Sequence, residues 1–284
     1  MRADTHVFQA ILIALLISPI FTLDSSIFKL SIIGASFMQF LFGIFLGSFY
    51  PDTDVTESRI FRMKQINRKI PWQRTYKEYQ ELQNTKSVVN MFLFIYSSIL
   101  MLFANILRYM VYYPTLYIVK LLSKKLAKEY EVSDEHRGIS HTIPGIIISV
   151  PVLIICLILL NMLLGFVFNF NPFSSLLVIG IGFFIGGVVH LLQDSISKAG
   201  VRLFYPLNNF SIQGEYSSFD DTRNDATVFS VLLIISLFVT FYFTTISIPT
   251  YGKTIQLLAS SFFPIIILIA DFGILYRNTR VSYG

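Results

Sequence analysis

Histidine is nearly absent from this 284-residue chain, which carries only His6, His136, His141 and His190. Cysteine is scarcer still. Cys156 stands alone inside an apolar run, so an intrachain disulfide is excluded and a small apolar role is expected. Charged residues make up only 14% of the chain, against about 25% in ordinary soluble domains. A surface of that poverty cannot keep a chain of this size in water. There is no P-loop, GxGxxG loop, HExxH helix or nucleophile elbow, and no internal repeat. The common nucleotide cradles, zincin sites and serine-hydrolase turns are therefore excluded.

What is present is apolar. Hydrophobic residues are 54%, with 28 Phe, and the mean hydropathy is +0.64. Apolar runs at 7–23, 27–49, 145–168, 174–193, 227–249 and 255–276 approach or exceed the ~20 residues that a helix needs to cross a bilayer. No signal-peptide pattern precedes the first run. The expected fold class is all-α: a polytopic helical membrane protein of about six spans. A seventh apolar stretch, 88–122, is interrupted by Arg108 and Pro114 and is expected to fold back as a hairpin, re-entrant or interfacial segment.

Charge placement yields an orientation. Residues 1–50 form an N-terminal transmembrane hairpin turned at Asp24-Ser25-Ser26, followed by a basic loop over 51–87. The segment 88–122 leaves that face and returns. Residues 123–206 then form a core with two spans, and 207–284 form a loop and a C-terminal two-span hairpin. In this arrangement every one of the 22 Lys and Arg residues except Lys29, Lys253 and Arg108 falls on one side. Positive residues stay inside, so both termini and the polar motifs are expected at the cytoplasmic face of a cell membrane.

The rare histidines lie in or beside short acid-and-histidine motifs. His190 and Asp194, four apart near a helix end, share a helix face and suit two ligands of one ion. His136-Arg137-Gly138-Ile139-Ser140-His141 reads as a turn entering a helix, with Ser140 as cap and Pro144 in the first turn. Asp52 and Asp54 follow Pro51; in an extended segment their side chains would face the same way. His6 stands at the mouth of the first span. Each has an ordinary reading: an interfacial polar flank, a solvated turn acid, a histidine satisfied by its i+4 carboxylate. Their convergence at one membrane face favours a metal centre. The candidate ligands are His6, Asp52, Asp54, His136, His141, His190 and Asp194, enough for one to three divalent ions, zinc before manganese or iron.

These motifs resemble the YdjM-like family of membrane-bound metal-dependent hydrolases, the LexA-regulated inner-membrane type. The correspondence runs through Thr5-His6, then Gly47 to Asp54 as Gly-x-x-x-Pro-Asp-x-Asp, then 136–141 as His-Arg-Gly-x-Ser-His. It ends with Gly186 to Asp194, Gly200-Val201 and Tyr205-Pro206. Where the family often has His-Pro after the second Asp, this chain has Val55-Thr56. The resemblance implies hydrolysis of phosphoesters by a metal site distantly similar to that of zinc-dependent phospholipase C.

The expected activity is metal-assisted hydrolysis of a phosphoester, with lipid headgroups favoured by the depth of the site. Asp54 is the expected general base, and Arg137 or Arg202 the group facing developing phosphoryl charge. Basic and aromatic residues alternate over 59–77 around Trp72, Tyr76 and Tyr79, a pattern shared by nucleic-acid binders and amphipathic surface helices. Tethering at both ends favours membrane lipid over nucleic acid as partner. The rival reading is a non-enzymatic membrane scaffold or transporter with a structural polar or metal cluster. A transporter would place its ionisable groups at mid-bilayer, where only Arg108 and Asp271 are found here.

Overall fold

The computed structural model describes residues 3–22, 35–54, 88–126, 138–195, 200–208, 210–214 and 230–236, with positions 266, 269 and 280–282. Its helices are α1 (Ala3–Thr22), α2 (Ala35–Phe49), α3 (Val88–Leu107), α4 (Tyr113–Leu126), α5 (Ile143–Phe168) and α6 (Leu176–Ser195). Residues 230–236 are also helical. Ser98–Leu122, Ile143–Phe168 and Leu176–Ser195 are long and apolar enough to cross a membrane. One flank of α5 exposes Ile147, Ile155, Leu159, Met162 and Phe166, as expected of a surface that faces lipid tails. The expected spans 7–23 and 27–49 correspond to α1 and α2, whose apolar stretches Val7–Leu16 and Phe37–Phe49 are shorter. Most of 227–249 and 255–276 lies outside the described residues, as do the basic loop over 55–87 and Asp271.

Among the described residues, the closest helix pair is α2 against α6. A Cβ on Gly43 or Gly47 would strike the backbone carbonyls of Ile179 or Phe183. A Cβ on Gly182 or Gly186 would strike those of Phe40 or Ile44. Two Gly-x-x-x-Gly faces thus meet backbone to backbone, the close approach that small residues permit between membrane helices. Phe183 and Tyr50 pack in this seam with ring centroids 5.3 Å apart. At the other end Gln39 clasps the α5–α6 connection, accepting from Ser175 N at 2.8 Å and donating to Pro172 O and Ser174 Oγ.

The segment 88–126 does not turn back. Backbone conformation stays helical through a π-turn at Arg108–Tyr112, with Leu107 and Tyr113 both right-handed and Tyr113 N–H on Arg108 O. The hairpin expected over 88–122 is therefore replaced by one helical run. Pro114 has no N–H for the carbonyl of Met110, four residues back; the Cys156 thiol donates to that carbonyl across 3.2 Å. The lone cysteine thus has a polar role beyond the small apolar one expected of it.

A short antiparallel sheet of β1 (Val201–Arg202), β2 (Ser211–Gln213) and β3 (Arg280–Ser282) adds to the all-α expectation. Val201 pairs with Ile212, and Ile212 with Val281. Gly200 enters it at φ +62, a conformation that a side chain disfavours. The sheet is tied to α5 by Ile143 N donating to Leu203 O at 2.8 Å, and Val201 and Leu203 share a core with Ile146 and Leu191. It therefore sits at the end of the helices where the polar motifs gather.

A buried chain of polar side chains joins more distant helices. Gln193 on α6 donates to Gln9 on α1 at 2.7 Å, and Gln9 donates to Ser230 at 3.1 Å.

Candidate metal centre

Three chain segments meet at the end of the α2–α6 seam. The first is a 3-10 turn, Pro51–Thr53, that continues α2. Pro51 presets its first position, and Thr53 Oγ1 bonds back to Tyr50 O at 2.6 Å. Because the segment is a tight turn, Asp52 and Asp54 do not face the same way, as an extended strand would have required. Asp52 Oδ1 turns to His190 Nε2 at 3.9 Å; Asp54 Oδ2 turns to His141 Nδ1 at 3.2 Å.

The second segment is the 3-10 turn Ile139–His141 ahead of α5. Ser140 was the expected cap, but Thr142 takes that place, accepting from Gly145 N at 3.0 Å and donating to Ile139 O at 2.8 Å. Ser140 Oγ instead donates to Asp54 Oδ2 at 3.0 Å. The third segment is the last turns of α6. There His190 Nδ1 meets the Ser48 carbonyl at 2.7 Å. A carbonyl accepts only, so Nδ1 carries a proton and Nε2 is the nitrogen turned to the cluster. Gly47 and Gly186 allow the close approach that makes this contact possible.

Asp52, His141 and His190 each offer a ligand atom, and these atoms lie within 4.8 Å of one another. Asp194 Oδ2 faces both imidazoles, 3.4 Å from His141 Nε2 and 3.7 Å from His190 Nε2. The two rings stand edge to face, centroids 5.4 Å apart. Tetrahedral ligands on bonds of about 2.1 Å stand roughly 3.4 Å apart, so a divalent ion fits these spacings with little movement. The donor chemistry fits too: two imidazoles and carboxylate oxygen suit zinc, manganese or iron. Each histidine has its other nitrogen engaged, one by a carbonyl and one by a carboxylate, as the ligands of metal sites usually do. His141 and His190 are fully buried, while the Asp52 side chain is 16% exposed. Asp52 is the partly exposed member of the triad.

The electrostatics are those of a site short of positive charge. Burial alone would depress the His141 imidazolium, but the Asp54 charge and the Asp194 and Asp54 hydrogen bonds outweigh it and hold its pKa at about 10. Burial, with the Asp194 and Asp54 charges, pushes the Asp52 carboxyl up, against the pull of His190 and His141.

The profile of the YdjM inner membrane protein family matches residues 1–252. The chain belongs to this family. Membership in an inner-membrane family and the three long apolar helices together establish a membrane protein. No curated protein and no solved structure matches the chain.

Of the ligands expected from the sequence of this YdjM family member, Asp52, Asp54, His141, His190 and Asp194 come together. His6 lies on α1 but its side chain is outside the described residues; its neighbour Val7 shares a buried cluster with Phe49 and Tyr50. His136 and Arg137 also fall outside them. Arg202 is exposed on β1, its guanidinium 5.2 Å over the Tyr205 ring. Sequence reasoning missed the Ser48 carbonyl, the Ser140 hydroxyl as a partner of Asp54, and Arg108. Arg108 Nη2 reaches the Asp54 carbonyl at 3.5 Å from the π-turn. A cation inside an apolar run was the available signal for it.

Proposed function

We propose that this protein is a membrane-bound, metal-dependent hydrolase of phosphoesters, with lipid headgroups as the first substrate class to test. The observation that carries the reading is the triad of Asp52, His141 and His190, with both imidazoles oriented from behind and Asp52 partly exposed. A structural metal site is closed by protein ligands, whereas a catalytic one keeps a position for water and substrate. The partial exposure of Asp52 supports the second kind.

Asp52, His141 and His190 would hold the ion, with Asp194 beside it as a further ligand or proton acceptor. A bound divalent ion supplies acidification of water and polarisation of a phosphoryl oxygen. Asp54, the general base expected from sequence, is engaged through Oδ2 by Ser140 and His141, which favours a positioning role. Asp194 Oδ2 is better placed to take a proton, since it faces both Nε2 atoms from a nearly buried side chain. The proposed orientation keeps both termini and the metal face in the cytoplasm, by the positive-inside rule. His6 and His136 remain proposed outer ligands, zinc the proposed ion, and membrane lipid the proposed partner.

The test is metal content by mass spectrometry on detergent-purified protein, followed by a phosphoester panel that includes phosphatidic acid and a p-nitrophenyl diester. Wild type is expected to hold at least about one equivalent of zinc, manganese or iron and to hydrolyse part of the panel. His190→Ala and Asp52→Ala should lose both properties. A well-folded wild type that takes no metal after reconstitution sinks the reading in favour of a polar scaffold.

A further inference from the structure

Arg108 is a cation inside an apolar helical run and lies outside the expected ligand set. An arginine in the middle of an apolar helix is costly to insert and marks function where it is kept. This one opens a π-turn, a distortion that recurs at functional sites. Its guanidinium is fixed on two edges. Nε donates to Tyr113 Oη at 3.2 Å, with the Tyr113 ring 5.6 Å below the guanidinium carbon, and Nη2 reaches over the Asp54 carbonyl. Asp54 is the residue whose carboxylate holds His141 and Ser140. A phenol and a carbonyl thus place the guanidinium beside Asp54, whose carboxylate belongs to the cluster.

With one ion bound, the charge balance of the centre favours such a group for an anionic substrate. Asp52, Asp54 and Asp194 bring three negative charges to two histidines that must be neutral to bind metal. One divalent ion leaves that set with an excess negative charge, which repels a phosphoryl group. Arg202, one of the arginines expected to offset it, is exposed and stacked on Tyr205. A planar guanidinium presents paired donors that match two phosphoryl oxygens, and it never loses its proton.

We infer that Arg108 is the anion-holding residue of this site, gripping the phosphoryl group of the substrate beside the Asp52–His141–His190 triad. The inference rests on the metal-hydrolase reading and names the substrate class of that site: a phosphate-bearing molecule, either a lipid headgroup or a free phosphate compound.

The experiment uses the full chain in detergent, reconstituted with zinc. Wild type, Arg108→Lys and Arg108→Gln are titrated calorimetrically with inorganic phosphate and, separately, with dihexanoyl phosphatidic acid; zinc stoichiometry is measured alongside. Zinc content is expected to be equal in all three. Affinity should fall roughly tenfold to a hundredfold in Arg108→Gln, the range for losing hydrogen bonds to a charged group. Arg108→Lys, which keeps the charge but loses the fork, should fall between. Tighter binding of the lipid probe assigns the source to headgroups, and tighter binding of inorganic phosphate to free compounds; either agrees with the inference. Zinc-loaded wild type that binds neither probe overturns it, as does equal affinity in Arg108→Gln. If that variant loses its zinc, Arg108→Lys carries the test, and wild-type affinity there overturns the guanidinium role. A wild type that takes no zinc brings down the hydrolase reading as well, so the two failures are distinguishable.

Discussion

His190 and His141 reach one centre from mounts of opposite character. His190 rides on a long helix locked to α2 by glycines, and its ring is set by a neutral backbone carbonyl. His141 sits on a one-turn loop, and its ring is set by the carboxylates of Asp54 and Asp194 and by Ser140. The first mount depends on packing, which pH and side-chain chemistry at the site scarcely touch. The second depends on charge. A centre built this way should fail in two distinguishable manners.

The largest expected effect breaks the packing mount. Gly47→Val would drive a branched side chain into the Phe183 backbone, at a cost of about 3 kcal/mol or more. It should shift thermal unfolding markedly and abolish metal binding together, as read by a detergent-compatible melt and metal analysis. The charge mount should break without unfolding. Asp54→Asn keeps shape but removes the charge behind His141, and losing such a partner typically weakens metal binding about 10- to 100-fold. Competition with a zinc chelator would measure it, with the melting temperature of the metal-free protein as control.

The proton content of the site sharpens the contrast. The folded pKa of His141 lies above its ordinary value of 6.5, at about 10. Its contribution to metal-free stability is therefore complete below 6.5 and lost as pH rises through 10. Asp52, also raised, favours its protonated form and pulls the same way. Metal must displace these protons, so zinc binding at pH 7.5 should release about one proton or more. Calorimetry in buffers of different ionisation heat reads that number, and Asp54→Asn should lower it. The smallest effect is expected from Ser140→Ala, which removes one hydrogen bond to Asp54, worth roughly 1–3 kcal/mol because the acceptor is charged. A modest loss of zinc affinity with an unchanged fold would match; no loss would assign the holding of Asp54 to His141 alone.

The membrane class and the five residues that converge were legible in the sequence because both rest on composition and short spacing. Long apolar runs leave few alternatives, and His190 with Asp194 on one helix face follows from 3.6 residues per turn. What was illegible depended on contacts across the chain. Ser48 contributes a carbonyl, which any residue carries; only its placement against His190 makes it matter. Asp52 and Asp54 diverge because Pro51 opens a 3-10 turn, where alternation along a strand does not apply. The hairpin expected from Arg108 and Pro114 failed for a related reason. A π-turn and a distant cysteine together accommodate the proline without breaking the helix. Local rules counted the broken bond but not its replacement.

The chain of amides from Gln193 through Gln9 to Ser230 has a consequence for how the protein is made. Gln9 belongs to α1, yet two of its partners follow 184 and 221 residues later in the chain. During synthesis these two bonds must wait until α6 arrives to donate to the Gln9 side-chain carbonyl oxygen, and the helical stretch at 230–236 to accept from its nitrogen. Lipid offers that amide no partner, so early helices remain adhesive toward late ones. The pairing acts as a timer: Gln9 finds these two neighbours only once the chain has been translated into its second half.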